Sequence, residues 1–170
     1  MSPTKEISQE ATVTTSTVVR NTDDHERRSF YGGGLHTWLA HDTETADGFL
    51  LFEDAVDAGK RTPLHVHPES DETFYVLDGA ILLHVDGEQH ELRAGGIAIV
   101  PRGVPHAFLV SSEGGARMLC LHTPGGGEAF YRHASEPAVT GGAPVEVDFG
   151  RVQQSAQETG TMRVVGPPPF

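Results

Sequence analysis

The chain has 170 residues, a length that predicts one domain with a sizeable core. Acidic residues outnumber basic ones 24 to 12, and the resulting formal charge of −12 opposes contact with nucleic acid phosphates and with anionic membranes. Only 37% of the residues are hydrophobic, while 20 glycines and 11 prolines favour many short strands over long helices.

The N-terminus and the cysteine content predict where the protein works. The opening sequence, MSPTKEISQE, has no apolar segment after its lysine, so we expect no secretory signal. No apolar stretch approaches the length of a membrane span. Cys120 is the only cysteine, which excludes an internal disulfide and a cysteine-based zinc site. These features predict a soluble cytoplasmic protein.

Residues 1–28 and 29–124 differ in composition and predict different structures. Residues 1–28 are rich in serine, threonine and charge, which predicts a flexible tail. The alternative is an arm that adds a strand to a partner subunit. Residues 29–124 alternate β-prone segments with turn signals, including Asp86-Gly87, and predict an all-β antiparallel barrel. The predicted strands are 35–41, 48–56, 62–67, 72–77, 80–85, 88–92, 96–101, 106–111 and 116–123.

Residues 125–170 predict a C-terminal helical segment and a tail that pack on the barrel. Residues 128–134 and 148–160 have the composition of short helices. Asp148 is a suitable N-cap for the second helix, and Gly160 suits its C-terminal end.

The segment from Gly59 to Gly79 contains the first candidate metal ligands. Alternate residues of a strand share a face, so His65 and His67 project to the same side with Cα atoms roughly 6.6 Å apart. Two imidazoles at that spacing can bind one metal ion. Glu72 begins the next strand and can supply a carboxylate. An isolated pair of alternate histidines also occurs on solvated strands, so the pair alone is weak evidence.

A second segment, Gly95 to Phe108, supplies a further histidine. Its glycines and prolines predict a strand, a tight turn and a new strand that opens with His106. Three neutral imidazoles and one carboxylate leave a divalent ion with positive charge and open coordination positions. We therefore predict one divalent transition metal ion bound by His65, His67, Glu72 and His106.

The two segments together resemble the two defining motifs of the cupin superfamily. The first motif, G(X)5HXH(X)3,4E(X)6G, is matched at every defined position, from Gly59 to Gly79. The second, G(X)5PXG(X)2H(X)3N, is matched at Gly95, Pro101, Gly103 and His106. Its final asparagine is replaced by Val110, but that asparagine is not a metal ligand in the family. The resemblance implies an all-β cupin, a jelly-roll-like barrel with short C-terminal helices.

The phrase VPRGVPHAF and the later TPGGGEAFYRHASEPA are similar to single-domain bacterial cupins of the quercetin 2,3-dioxygenase type. In that family a metal held by three histidines and a glutamate binds a deprotonated flavonol, which dioxygen cleaves with loss of carbon monoxide. The glutamate also accepts the substrate proton. The resemblance therefore implies that Glu72 is both a ligand and the catalytic base.

Several apolar and aromatic residues are candidates for a substrate pocket. Phe74 and Val76 share the strand parity of Glu72, and Phe108 shares that of His106, so these side chains point inward. Ordinary barrel core is the alternative reading for all three. His36 could contact substrate at the barrel mouth, although a core or surface position is the favoured interpretation. Phe130 and Tyr131 would cover the mouth if the first helix folds over it.

Three functions agree with these residues. The first is a metal-dependent dioxygenase acting on a phenolic, enol or flavonol-like small molecule. The second is a metal-dependent lyase, isomerase or decarboxylase acting on a small carbonyl compound. The third is a cupin that binds a small molecule without catalysis.

Fe, Mn, Ni, Co, Cu and Zn all accept this donor set, so the ligands do not select a metal. The partners expected are a small-molecule substrate, dioxygen and a second copy of the chain in a homodimer.

Overall fold

A computed structural model describes residue 15, residues 17–139 and residues 145–170. The described helices are α1 (Glu128–His133) and α2 (Phe149–Thr159), and single turns of 3-10 helix lie at Thr22–Asp24 and Asp42–Glu44. The described strands are β1 (Arg27–Phe30), β2 (Leu35–Ala40), β3 (Leu50–Val56), β4 (Leu64–Val66), β5 (Asp71–Asp78), β6 (Ala80–Val85), β7 (Glu88–Arg93), β8 (Ile97–Val100), β9 (His106–Val110), β10 (Ala116–Thr123), β11 (Ser135–Pro137) and β12 (Arg163–Gly166).

The strands form two antiparallel sheets that face each other across one core. The larger sheet has seven strands in the order β11-β1-β2-β3-β10-β5-β8, and the smaller has five in the order β12-β4-β9-β6-β7. In β3 and β10 every second residue is buried, as expected for strands with one face on the core. The inner faces supply an aromatic core that includes Trp38, Phe52 and Phe74, each at most 2% exposed.

Most of the predicted elements occur in the structure. Strands β6 and β10 have the predicted bounds, and the other predicted strands differ by one or two residues at an end. Asp86 and Gly87 have φ values of 50° and 82°, the left-handed conformation of a two-residue hairpin turn. The Asp148 carboxylate accepts a hydrogen bond from the Arg151 amide at 3.1 Å, and Gly160 ends α2 with φ 69°.

Three short strands were not predicted from the sequence. Strand β1 begins at Arg27, two residues before the predicted start of the barrel, and it pairs with both β2 and β11. Strand β12 pairs with β4, so the C-terminal segment extends the smaller sheet beside His65. Most of the predicted N-terminal tail or arm lies outside the described residues. Within its described part, His25 Nδ1 is 3.0 Å from the carbonyl oxygen of Trp38.

No described helix combines the length and the apolar character needed to cross a membrane.

Candidate metal centre

Three strands bring the predicted ligands together inside the barrel, two from the smaller sheet and one from the larger. His65 lies in β4 and pairs directly with His106, the first residue of β9. His67 follows β4 on the same side as His65, and Glu72 lies in β5 on the opposite sheet. One donor atom from each of these four residues lies within 4.8 Å of the other three donor atoms, and all four residues are buried. We refer to these four residues as the ligand cluster.

Backbone carbonyls fix which nitrogen of each imidazole faces the centre of the cluster. The Nδ1 atoms of His65 and His106 lie 2.9 Å from the carbonyl oxygens of Pro63 and Val104, and Nδ1 of His67 lies 3.3 Å from that of Thr161. A carbonyl only accepts, so each Nδ1 carries the proton. Each Nε2 is therefore directed toward the cluster as a lone-pair donor, the arrangement that outer carbonyls impose on metal-binding histidines.

Glu72 supplies the negative charge at the centre of the cluster. Its Oε2 lies 2.7 Å from His106 Nε2 and 3.2 Å from His67 Nε2. Burial alone would raise the pKa of Glu72, but the surrounding imidazoles hold that pKa well below its usual value. Burial likewise opposes the charged form of His106, while its hydrogen bond to Glu72 raises the His106 pKa. The carboxylate is therefore ionised at neutral pH and supplies a negative charge to the cluster.

The donor atoms of the cluster fit a divalent metal ion. The Nε2 atom of His67 is buried without a hydrogen-bond donor among the described residues, and Glu72 Oε2 at 3.2 Å brings a second lone pair to it. A cation between the two atoms would relieve this costly arrangement. Burial, with the neighbouring His106 and His67, lowers the pKa of His65 to about 3, so its imidazole is neutral. Neutral imidazoles and one carboxylate are the ligands that divalent transition metals accept. The four residues could thus form a metal site.

A cavity beside the ligand cluster is enclosed largely by aromatic side chains. Its water-accessible volume is about 60 Å³. Five of the six predicted pocket residues line it, namely His36, Phe74, Phe108, Phe130 and Tyr131. The sixth, Val76, is fully buried and packs in the core instead, because it lies farther along β5 from Glu72. Phe149, Val152 and Met162 from the C-terminal segment complete the wall.

The structure adds polar residues to this site that the sequence did not reveal. His122 in β10 pairs directly with Glu72, and its Nε2 lies 3.6 Å from Glu72 Oε1. The hydroxyl of Tyr131 lies 2.9 Å from the same Nε2. Asp54 and Lys60 also line the cavity, close to His36. Strand parity was the available signal, because His122 and Asp54 share the inward-facing parity of the core residues in β10 and β3.

The two sheets form an antiparallel β-barrel, and the buried cluster of three histidines and one glutamate inside it is a candidate metal centre. Residues 52–122 match the family model described as the cupin domain. The chain is also similar in fold to an RmlC-like cupin from Shewanella frigidimarina, with a TM-score of 0.56, 22% identity, and coverage of 64% of this chain and 92% of that one. Residues 52–122 are thus similar to the cupin domain, the chain has the cupin fold, and the predicted fold class is confirmed.

Two further comparisons concern more specific relatives. Over 86 residues, or 51% of this chain, the sequence is 35% identical to quercetin 2,3-dioxygenase of Bacillus subtilis, of which 26% is covered. The structure resembles polyketide cyclase RemF of Streptomyces resistomycificus, with a TM-score of 0.55, 26% identity, and coverage of 64% of this chain and 80% of RemF. The chain covers 26%, 59% and 64% of the first three curated relatives it matches.

Proposed function

We propose that this cupin is a metal-dependent dioxygenase acting on a phenolic or enol small molecule of flavonol-like shape. The observation that carries the proposal is the position of the ligand cluster at one end of an aromatic cavity, where His65, His67 and Glu72 line the wall together with Phe74 and Phe108. The similarity to the Bacillus quercetin 2,3-dioxygenase supports this substrate class.

Each residue of the ligand cluster has a role in this proposal. His65, His67, His106 and Glu72 would hold the divalent ion, which supplies Lewis-acid stabilisation of a substrate oxyanion. The Nδ1 bonds to backbone carbonyls keep the three imidazoles in one tautomer and one orientation. Glu72 accepts the substrate proton. Because its pKa is held low, this carboxylate is a weak base, so the enol or phenol hydroxyl that it deprotonates must be made more acidic by the bound ion.

The cavity walls orient the substrate and limit the access of water. Phe74 and Phe108 stand with their ring centroids 6.0 Å apart in an edge-to-face arrangement, next to the ligand cluster. Phe149, Val152 and Met162 from the C-terminal segment form part of the wall, where they would limit the access of water to a bound substrate.

Oxygen uptake by metal-loaded protein tests this function. Protein loaded separately with Fe, Mn, Co, Ni, Cu or Zn is supplied with a panel of flavonols and simpler phenols in an oxygen electrode. We expect uptake with at least one flavonol, and its loss in His65→Ala. The matched control is His90→Ala, which removes an exposed imidazole from β7. Absence of oxygen consumption with every metal and every phenol would refute the dioxygenase.

A second candidate is a reaction of the same metal centre that does not use oxygen. The similarity to polyketide cyclase RemF favours this candidate, because that name indicates ring closure of a polyketide. Lyase, isomerase and decarboxylase chemistry on a small carbonyl compound belongs to the same class. Turnover under anaerobic conditions would distinguish it from the dioxygenase. A protein that retains no stoichiometric metal on elemental analysis would instead favour a small-molecule-binding cupin without catalysis.

A further inference from the structure

We propose that His36, Asp54 and Lys60 recognise a hydroxyl group at the end of the substrate that lies farthest from the metal ligands. We refer to these three residues as the Asp54 cluster. The inference rests on the proposed function for the identity of the substrate. It makes the substrate an aromatic molecule with two polar ends, one an acidic hydroxyl for the ligand cluster and the other a hydroxyl for Asp54.

The Asp54 cluster is a set of buried polar side chains on the cavity wall. Asp54 in β3 pairs directly with His36 in β2, and the Asp54 Oδ1 atom lies 3.4 Å from His36 Nε2. The ammonium of Lys60 lies 3.8 Å from the other oxygen, Oδ2. The side chains of all three residues are at most 8% exposed, and all three residues line the cavity.

The contacts within the protein leave part of this cluster unsatisfied. Lys60 has a structural role, because its ammonium donates to the carbonyl of Gly33 and lies 5.4 Å from the centre of the Phe30 ring. That role does not account for Asp54 Oδ1, which is buried without a hydrogen-bond partner among the described residues. His36 Nδ1 is in the same situation. A buried carboxylate oxygen without a donor is costly, and a ligand hydroxyl would satisfy it.

The charges of the cluster select a hydroxyl over an ionic group. The Asp54 carboxylate repels a ligand anion, and the Lys60 ammonium repels a ligand cation. A hydroxyl donates its proton to Asp54 Oδ1 while its oxygen accepts from Lys60, so one neutral group uses both charges. Phe30 and Phe52 flank His36, with ring centroids 4.6 and 4.7 Å away, and both also line the cavity, which favours an aromatic ligand beside the cluster.

The sheet register sets the separation between the two polar ends. Along β10, Glu72 is opposite His122 and Asp54 is opposite Met118. Four residues of β10 correspond to roughly 13 Å along the strand at about 3.3 Å per residue, and β3 and β5, on opposite sides of β10, are roughly 9–10 Å apart. An elongated aromatic molecule can therefore contact the ligand cluster with one end while its far hydroxyl reaches Asp54.

Three probes that differ only at the far end test this inference. The probes are 3-hydroxyflavone, its 4′-hydroxy derivative and its 4′-methoxy derivative, all with the same metal-binding group. Their dissociation constants are measured by calorimetry on metal-loaded protein. We expect the 4′-hydroxy probe to bind about tenfold or more tightly than either of the others, the equivalent of roughly 1.4 kcal/mol for one charge-assisted bond.

Protein variants assign this preference to the Asp54 cluster. The double variant Asp54→Leu/Lys60→Met replaces the charge pair with apolar side chains of similar size, which keeps a buried charge from being left alone. Asp54→Asn is a second variant that preserves shape. The matched control is Arg93→Met, which removes an exposed cation from β7, away from the cavity. We expect the hydroxyl preference to vanish in the double variant, to shrink in Asp54→Asn and to persist in Arg93→Met.

The outcomes separate this inference from the proposed function. Equal binding of the three probes, or a preference that survives in the double variant, would overturn the role of the Asp54 cluster even if oxygen is consumed. A hydroxyl preference that depends on Asp54, without oxygen uptake, would uphold the cluster and refute the dioxygenase. If wild-type protein bound none of the probes, both proposals would be wrong.

Discussion

Because of His36, the free energy of unfolding of the metal-free protein should decrease in mild acid. Its imidazole is 1% exposed and is stacked between aromatic rings, where the protonated form loses its hydration. Burial lowers the pKa of His36 from 6.5 to about 4, although the nearby Asp54 carboxylate acts in the opposite direction. The unfolded chain has no such environment, so its histidine titrates near the ordinary value.

The sign and the size of the effect follow from this difference in pKa. Above pH 6.5 the imidazole of His36 is neutral in both the native and the unfolded state, so its pKa shift does not reduce the free energy of unfolding. As the pH falls toward 4, the unfolded state binds a proton that the native state does not, so the free energy of unfolding decreases. A shift from 6.5 to about 4 corresponds to about 3 kcal/mol, of which about 2 kcal/mol is lost between pH 7 and pH 5.

Urea unfolding of metal-free wild type and His36→Leu at pH 7 and pH 5 measures this contribution. His65 and His122 also have pKa values lowered to about 3, so wild type loses stability from several groups at once. The informative quantity is therefore the difference between the two proteins. The variant should lose about 2 kcal/mol less than wild type over this interval. Equal losses in the two proteins would show that His36 is not held neutral by burial.

Three other predictions concern the metal, the C-terminal segment and the assembly. His67→Ala should weaken metal binding by on the order of 100-fold or more and remove the metal-dependent rise in Tm, whereas His133→Ala should leave both unchanged, as elemental analysis and thermal melts would show. Asp148→Ala removes the cap of α2 and should lower the free energy of unfolding by about 1 kcal/mol without altering bound metal. We propose a homodimer through the outer face beside edge strand β8, where Ile97 and Ile99 are 57% and 66% exposed. Ile99→Asp should then give a monomer in sedimentation velocity, and an unchanged sedimentation coefficient would contradict this interface.

The sequence predicted the elements whose signals are local. Strands β6 and β10 and the Asp86-Gly87 turn could be located because β-prone residues and turn chemistry lie within a few positions of one another. Strands β1, β11 and β12 carry no such signal. Their residues include arginine, glutamate and proline, and β12 exposes Val164 and Val165. These segments are strands only because a distant edge of a sheet is available to pair with them.

The residues of the candidate site likewise fall into those that local sequence patterns predict and those that they do not. His65, His67, Glu72 and His106 could be predicted together because their spacing within two short segments matches a known pattern. Asp54, Lys60 and His122 have no pattern of that kind. A charged residue in a strand or a loop ordinarily faces solvent, and only the pairing of β3, β10 and β5 places Asp54 and His122 on the inner face.

The inner face of the larger sheet connects the two ends of the cavity. Glu72, His122, Phe52 and Asp54 all project from that face, since they occupy inward positions on adjacent strands. A shift of one residue in the pairing of β3 with β10 would turn Asp54 toward solvent and leave Glu72 in place. The strand register that places these residues in the core therefore also fixes the distance between the ligand cluster and the Asp54 cluster. Substrate length should consequently be a stricter requirement for binding than the identity of the metal, because the strands hold the Asp54 cluster at one separation from any ion that the ligand cluster accepts.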